Sequence, residues 1–112
     1  MSLIIYHNPR CGKSRETLAL LEKRGLNPRI IEYLKTPPSA SELRSILTAL
    51  GLKAAELARQ KEAAEEGIDL SMPEDKLIVA MVQNPIVIER PIVRAGRKAA
   101  LGRPPENVLK IL

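Results

Sequence analysis

The chain has 112 residues, 45% of them apolar and 28% charged, enough for one domain with a modest core that needs neither disulfides nor a metal. Its formal charge of +5 favours anionic partners, but lysines and arginines are scattered and the two aromatics, Tyr6 and Tyr33, are too few to stack bases, so direct nucleic-acid binding is not expected. No stretch is apolar and long enough to span a bilayer, the N-terminus lacks a secretory signal, and one cysteine makes no internal disulfide, which together predict a cytoplasmic protein with no membrane partner.

Leu3–Tyr6 reads as a buried strand stopped by Asn8-Pro9. From Gly12 the period changes: Thr17, Leu18, Leu20 and Leu21 make the apolar stripe of a helix, and Arg24-Gly25 ends it. After the Asn27-Pro28 turn, Arg29–Leu34 is a second strand. Strand, loop, helix and strand form a βαβ unit, whose strands run parallel with a right-handed crossover. Thr36-Pro37-Pro38-Ser39 breaks the pattern, and Ser39 or Ser41 caps the next helix, with Glu42 in the capping-box position after Ser39. Leu43, Ile46, Leu47 and Leu50 follow at helical spacing, ending at Gly51. Lys53–Arg59 is expected to form a short helix, and residues 60–70 helix ends and loop. A further helix opens at Ser71 or Pro73, runs through Leu77, Ile78, Met81 and Val82, and closes at Asn84-Pro85. Ile86–Ile88 and Pro91–Arg94 are expected β segments, followed by a turn at Ala95-Gly96 and a return strand over Arg97–Leu101. Pro104-Pro105-Glu106 starts a last helix containing Val108, Leu109, Ile111 and Leu112. A βαβ half followed by a ββα half predicts an α/β, thioredoxin-like fold. The whole chain, residues 1–112, is expected to be a single domain with a helical insertion over about residues 39–83.

The segment Tyr6-His7-Asn8-Pro9-Arg10-Cys11-Gly12-Lys13-Ser14-Arg15 carries most of the chemistry. Cys11 follows the first strand and begins the first helix, where orphan backbone N–H groups and the positive end of the helix dipole stabilise a thiolate, lowering the pKa below about 8.5. An inert cysteine belongs inside an apolar run; this one is flanked by Pro9-Arg10 and Gly12-Lys13-Ser14. Gly12 lets the backbone approach a ligand, Ser14 supplies a hydroxyl, and Arg10, Lys13 and Arg15 add positive field. His7 is open to three roles: general base, field-setting group, or hydrogen-bonding residue at a strand end. Cys11 and Ser14 reproduce the Cys-x-x-Cys spacing without the second sulfur, so any covalent adduct on Cys11 must be resolved by an outside thiol.

Three arginines stand out by context: Arg59, Arg90 and Arg103. An X-Pro step within Ile88-Glu89-Arg90-Pro91-Ile92-Val93 is awkward for a regular strand, and a cis peptide at Pro91 rationalises it. Thioredoxin folds set such a proline against the active cysteine, which would bring Arg90 to Cys11. A guanidinium fork suits a tetrahedral oxyanion because it donates two parallel hydrogen bonds and stays charged. No metal site is expected from one histidine and one cysteine, and neither a P-loop nor a dinucleotide fingerprint is present, so no bound cofactor is expected.

The sequence closely resembles the glutaredoxin-coupled arsenate reductases and the small arsenate-reductase-like proteins related to them. The matching pieces are Tyr6-His7-Asn8-Pro9 through Cys11-Gly12 and Ser14-Arg15, Tyr33-Leu34 with Pro37-Pro38, Arg59 in Leu-Ala-Arg-Gln-Lys, Asn84-Pro85-Ile86, Arg90-Pro91-Ile92-Val93, and Gly102-Arg103-Pro104-Pro105. The resemblance implies that Cys11 attacks arsenate to form a covalent thiol–arsenate adduct, that glutathione adds as co-substrate, and that glutaredoxin reduces the mixed species as arsenite leaves. It implies that Arg59, Arg90 and Arg103 hold the oxyanion and that His7 tunes the thiol; Asn8, Gly12 and Ser14 are the further thiolate-tuning or loop candidates. Gly102 stands where some longer members carry another cysteine, and the chain stops short of their C-terminal extension. Two other readings fit the same fold: a regulator of the Spx type that binds RNA polymerase, which typically needs the second cysteine that Ser14 replaces, and a thiol-redox protein of undefined substrate.

Overall fold

The computed structural model describes residues 2–112. Four short strands make its sheet: β1 (Leu3–His7), β2 (Arg29–Glu32), β3 (Ile92–Ala95) and β4 (Lys98–Leu101), in the order β2-β1-β3-β4. β1 pairs in parallel with β2, in the register Ile5↔Ile30, and the helix α1 (Gly12–Lys23) forms the crossover. β3 runs antiparallel to β1 with Ile5 opposite Val93, and the Gly96 turn, at φ 61°, returns the chain into β4. One unit consists of the chain up to Thr36 together with Arg90–Leu112; a second comprises Pro37–Glu89.

The first unit is held by Ile5 of β1, Leu21 of α1, Val93 of β3 and Val108 near the C-terminus, all four fully buried. Each side chain of that size contributes about 1.5–3 kcal/mol on burial. Because α1 is pinned at Leu21 and β1 at Ile5, the loop between them has fixed ends. Arg29–Glu32 is shorter than the expected Arg29–Leu34: Lys35 and Thr36 donate their N–H groups to the Glu32 carbonyl, so the chain turns instead of extending the strand. The segment after β4 is a run of 3-10 turns over Pro105–Ile111. Pro104 and Pro105 lack N–H groups, and Asn107 bonds three residues back to the Pro104 carbonyl.

The second unit is helical. Its first helix, α2 (Ala40–Leu50), begins at Ser39, whose Oγ accepts the Glu42 N–H at 3.0 Å, and ends at Gly51, left-handed at φ 69°. It is followed by α3 (Ala54–Leu57), α4 (Gln60–Glu65) and α5 (Glu74–Gln83). Leu43, Ile46 and Leu47 of α2 and Leu77, Ile78 and Met81 of α5 form its buried centre. Residues 60–65 are helical although a mixture of helix ends and loop was expected; Ala63 is the sole buried residue of α4, too weak an apolar stripe to announce it. The strand expected over Ile86–Ile88 is absent. Pro85–Val87 is a 3-10 turn closed by the Val87 N–H on the Asn84 carbonyl, and Ile88 forms only an isolated antiparallel bridge with Ala58. That bridge also confines the α3 helix to four residues of the expected Lys53–Arg59, since Ala58 must be extended to make it. Among the described residues, no helix is long and apolar enough to cross a membrane.

Candidate active site

The loop between β1 and α1 is tied by its own polar groups. Asn8 accepts the Cys11 N–H on its carbonyl at 2.9 Å and the Arg10 N–H on its Oδ1 at 3.0 Å. Ser14 is wholly buried; its Oγ accepts the Asn8 N–H at 3.0 Å and lies 2.6 Å from His7 Nδ1. Arg15 donates Nη1 to the Pro9 carbonyl at 3.0 Å. Cys11 is the extended N-cap of α1, and its half-buried sulfur lies at the first turn, where the Lys13 and Ser14 N–H groups have no helical acceptor.

Burial is the largest single influence on the Cys11 thiol and raises its pKa. The Ser14 backbone N–H, the Arg90 guanidinium by hydrogen bond and by charge, and the Lys13 backbone N–H together outweigh burial and hold the thiol below its ordinary value. Two arginines therefore address the sulfur. Arg90 is the one whose charge favours the thiolate. Arg103 donates Nε to the Arg90 carbonyl at 2.8 Å and brings Nη2 to 3.6 Å from Cys11 Sγ, a long contact even for sulfur. Each precedes a cis peptide bond, Arg90–Pro91 and Arg103–Pro104. The second cis bond was not anticipated. Asn107 fixes the Arg103 carbonyl from the far side, Nδ2 to oxygen at 2.9 Å.

Arg59 lies in the helical unit, where its Nε is 3.1 Å from Glu62 Oε2 and its Nη1 3.3 Å from Glu89 Oε1. Its backbone N–H donates to the Val87 carbonyl at 2.7 Å, beside the Ala58–Ile88 bridge. Gly12 is exposed at the start of α1, where an added Cβ would meet only the end of the Arg15 side chain.

His7 is buried at the end of β1, and burial lowers its pKa; Glu32 opposes this and Arg15 adds to it. Its Nδ1 is spent on Ser14, so it braces the loop. The direction of that shift fixes a pH dependence. Unfolded His7 takes a proton near pH 6.5, whereas folded His7 stays neutral to lower pH. The neutral form's contribution to stability is complete above 6.5 and is lost as pH falls through the folded value. His7 is the sole histidine of the chain. Urea midpoints are therefore expected to fall between pH 7.5 and 5.5 in the native protein and to change much less over that window in His7→Gln.

Gly102, the residue before Arg103, carries no chemistry but packs where no side chain fits. It is buried and donates its N–H to the Pro91 carbonyl at 2.9 Å. A Cβ here would collide with Thr17 Oγ1 and lie 2.7 Å from Pro91 Cγ. Neither neighbour yields easily: Thr17 is fully buried with its hydroxyl on the Lys13 carbonyl at 2.7 Å, and Pro91 is a ring. Gly102→Ala is expected to cost about 1–3 kcal/mol, read from denaturant midpoints. Restoring space with Thr17→Ala should return part of it.

Residues 6–111 match the ArsC family. The chain is 54% identical over 112 residues to the uncharacterized protein YfgD of Escherichia coli K12, covering 96% of this chain and 94% of that protein. It is 47% identical to the arsenate reductase of Haemophilus influenzae, across the whole of both chains. Among solved structures, the arsenate reductase from Vibrio cholerae superposes with a TM-score of 0.90 at 47% identity, covering 100% of this chain and 98% of that one. A match that runs from the end of β1 to the last turn, with the cysteine loop inside it, makes this chain a member of the ArsC family with that family's thioredoxin-like α/β fold.

Proposed function

We propose that the protein is an arsenate reductase in which Cys11 is the nucleophile and glutathione and glutaredoxin supply the electrons. The observation that carries this reading is the pairing of a thiol held below its ordinary pKa with two arginines at its sulfur. The full-length arsenate reductase relatives at 47% identity support the choice of oxyanion. The Cys11 thiolate attacks arsenic and an arsenate oxygen leaves as water, giving a thiol–arsenate ester. Arg90 and Arg103 donate to the remaining oxygens. Reduction of arsenic from the pentavalent to the trivalent state takes two electrons, which two thiols supply on becoming a disulfide. The chain has only one cysteine, so at least one of those thiols is external. Glutathione displaces a second oxygen as water. The glutaredoxin thiol then attacks the glutathione sulfur, and the two sulfurs become a disulfide as the pair of electrons passes to arsenic. Water cleaves the Cys11–arsenic bond to release arsenite and the free thiol. The family resemblance names Arg59 as a third oxyanion residue; within its own unit its guanidinium is paired with Glu62 and Glu89. No metal takes part in this scheme.

The test is arsenate-dependent NADPH oxidation in the presence of glutathione, glutathione reductase and glutaredoxin. Saturable turnover is the expected result. A preparation that shows none, while its thiol still reacts rapidly with iodoacetamide, overturns arsenate as the substrate and leaves a thiol-redox protein acting on something else.

A further inference from the structure

Between the cysteine loop and the end of β2 lies a cleft of about 190 Å³, inside the unit that carries Cys11. Pro9 and Arg10 of the loop form one wall, and Glu32, Leu34 and Lys35 form the other. The cleft therefore holds two cations and one carboxylate. Glu32 and Lys35 are paired at 3.5 Å, but both side chains are well exposed, and such a pair contributes little and is easily exchanged. Arg10 is in no ion pair among the described residues.

A ligand carrying a carboxylate and an ammonium on one carbon matches this set. Its carboxylate meets Arg10 and Lys35, its ammonium replaces Lys35 on Glu32, and its methylenes lie against Leu34. The volume is below the range of about 300–1,000 Å³ typical of whole-ligand pockets, so it suits one end of a larger molecule. Arg10, which lines the cleft, is the residue before Cys11 in the loop, so the rest of such a molecule has the thiol-bearing residue next along the chain. The Asn8 carbonyl to Cys11 N–H bond, 2.9 Å, keeps that turn closed.

Glutathione has such an end. Its γ-glutamyl residue keeps a free α-amino-acid head, joined through its side-chain carboxyl to the cysteine that bears the thiol. We propose that this cleft is the subsite for the γ-glutamyl head of glutathione, with Arg10 and Lys35 on its carboxylate and Glu32 on its ammonium. The assignment rests on the reading that glutathione is the co-substrate.

The experiment is mixed-disulfide formation, which does not depend on arsenate. The Cys11 thiolate attacks one sulfur of oxidised glutathione; one S–S bond breaks, one forms on Cys11, and a glutathione thiolate leaves. Its rate is compared with that for oxidised cysteinylglycine, the same disulfide without γ-glutamyl heads, each divided by the iodoacetamide rate to remove changes in thiol reactivity. The native protein should favour oxidised glutathione by roughly tenfold, the equivalent of one charge-assisted contact. Arg10→Ala with Lys35→Ala should abolish the preference. Glu32→Gln decides the matter by sign: added positive charge speeds a dianionic disulfide if only the general field matters, whereas loss of the ammonium partner slows it. No preference in the native protein, or a faster Glu32→Gln, overturns the subsite. A preserved preference with no arsenate turnover keeps the subsite and removes arsenate as substrate.

Discussion

Cys11→Ser is expected to reduce arsenate turnover by at least about a thousandfold while leaving the fold intact. Both halves of that expectation come from the same geometry. The sulfur is half-buried, and the bonds that shape the loop are made by the backbone of Cys11, not by its side chain. Circular dichroism should therefore be unchanged, as should the urea midpoint at a pH where the native thiol is still protonated; above that the variant lacks only the stability that thiolate formation adds. Activity should not survive, because a serine hydroxyl does not ionise near neutrality even with Arg90 and the Ser14 and Lys13 N–H groups directed at it. An ester through oxygen also removes the thiol from the thiol-to-disulfide exchange that reduction requires. Since the chain has one cysteine, the same variant should lose all reaction with a thiol reagent, so one preparation links thiol content to turnover. Turnover in Cys11→Ser at a tenth or more of the native rate would remove Cys11 from the mechanism.

What was legible in the sequence divides by the range of the forces involved. Gly51 and the Ser39–Glu42 cap announced the ends of α2, because a left-handed glycine and a side-chain cap act within four residues. Cys11 was legible for a similar reason: its flanks place it at a helix start. Arg90 was legible through the proline that follows it. Ile86-Val87-Ile88, by contrast, is as β-prone as any strand in the chain, but Pro85 and the Asn84 carbonyl turn the backbone first, and Ala58 offers only a single bridge. The bonds of Arg59 split the same way. Glu62 lies one helical turn away and could have been read, whereas Glu89 meets it only because residues 57–59 and 87–89 pair by backbone bonds. Gly102 gave no local signal of its role. Its φ is not positive, and the need for glycine comes from Thr17 and Pro91, brought there by α1 and β3.

Arg90→Ala should produce the other large effect, in two measurable parts. The first is in the thiol. With the guanidinium gone, burial, already the largest influence on Cys11, is opposed by the Ser14 and Lys13 backbone N–H groups and the long Arg103 contact, so the thiol pKa rises. The pH profile of iodoacetamide alkylation should move to higher pH. In the native protein the lowered folded value means that stability rises with pH from that value up to the unfolded thiol's pKa, and the variant should lose that rise. The second part is in catalysis: removing a preorganised donor from a developing oxyanion costs about 10²–10³ in rate, to which the smaller thiolate fraction adds. Arg103→Ala separates the two parts. Arg103 reaches Sγ only by the long 3.6 Å contact, so its loss should reduce turnover while moving the alkylation profile less than Arg90→Ala does. Arg90→Lys should restore the profile in part and turnover hardly at all, because an ammonium supplies charge without the planar fork. Identical profiles for Arg90→Ala and Arg103→Ala would mean that the sulfur feels general positive charge and not a specific guanidinium.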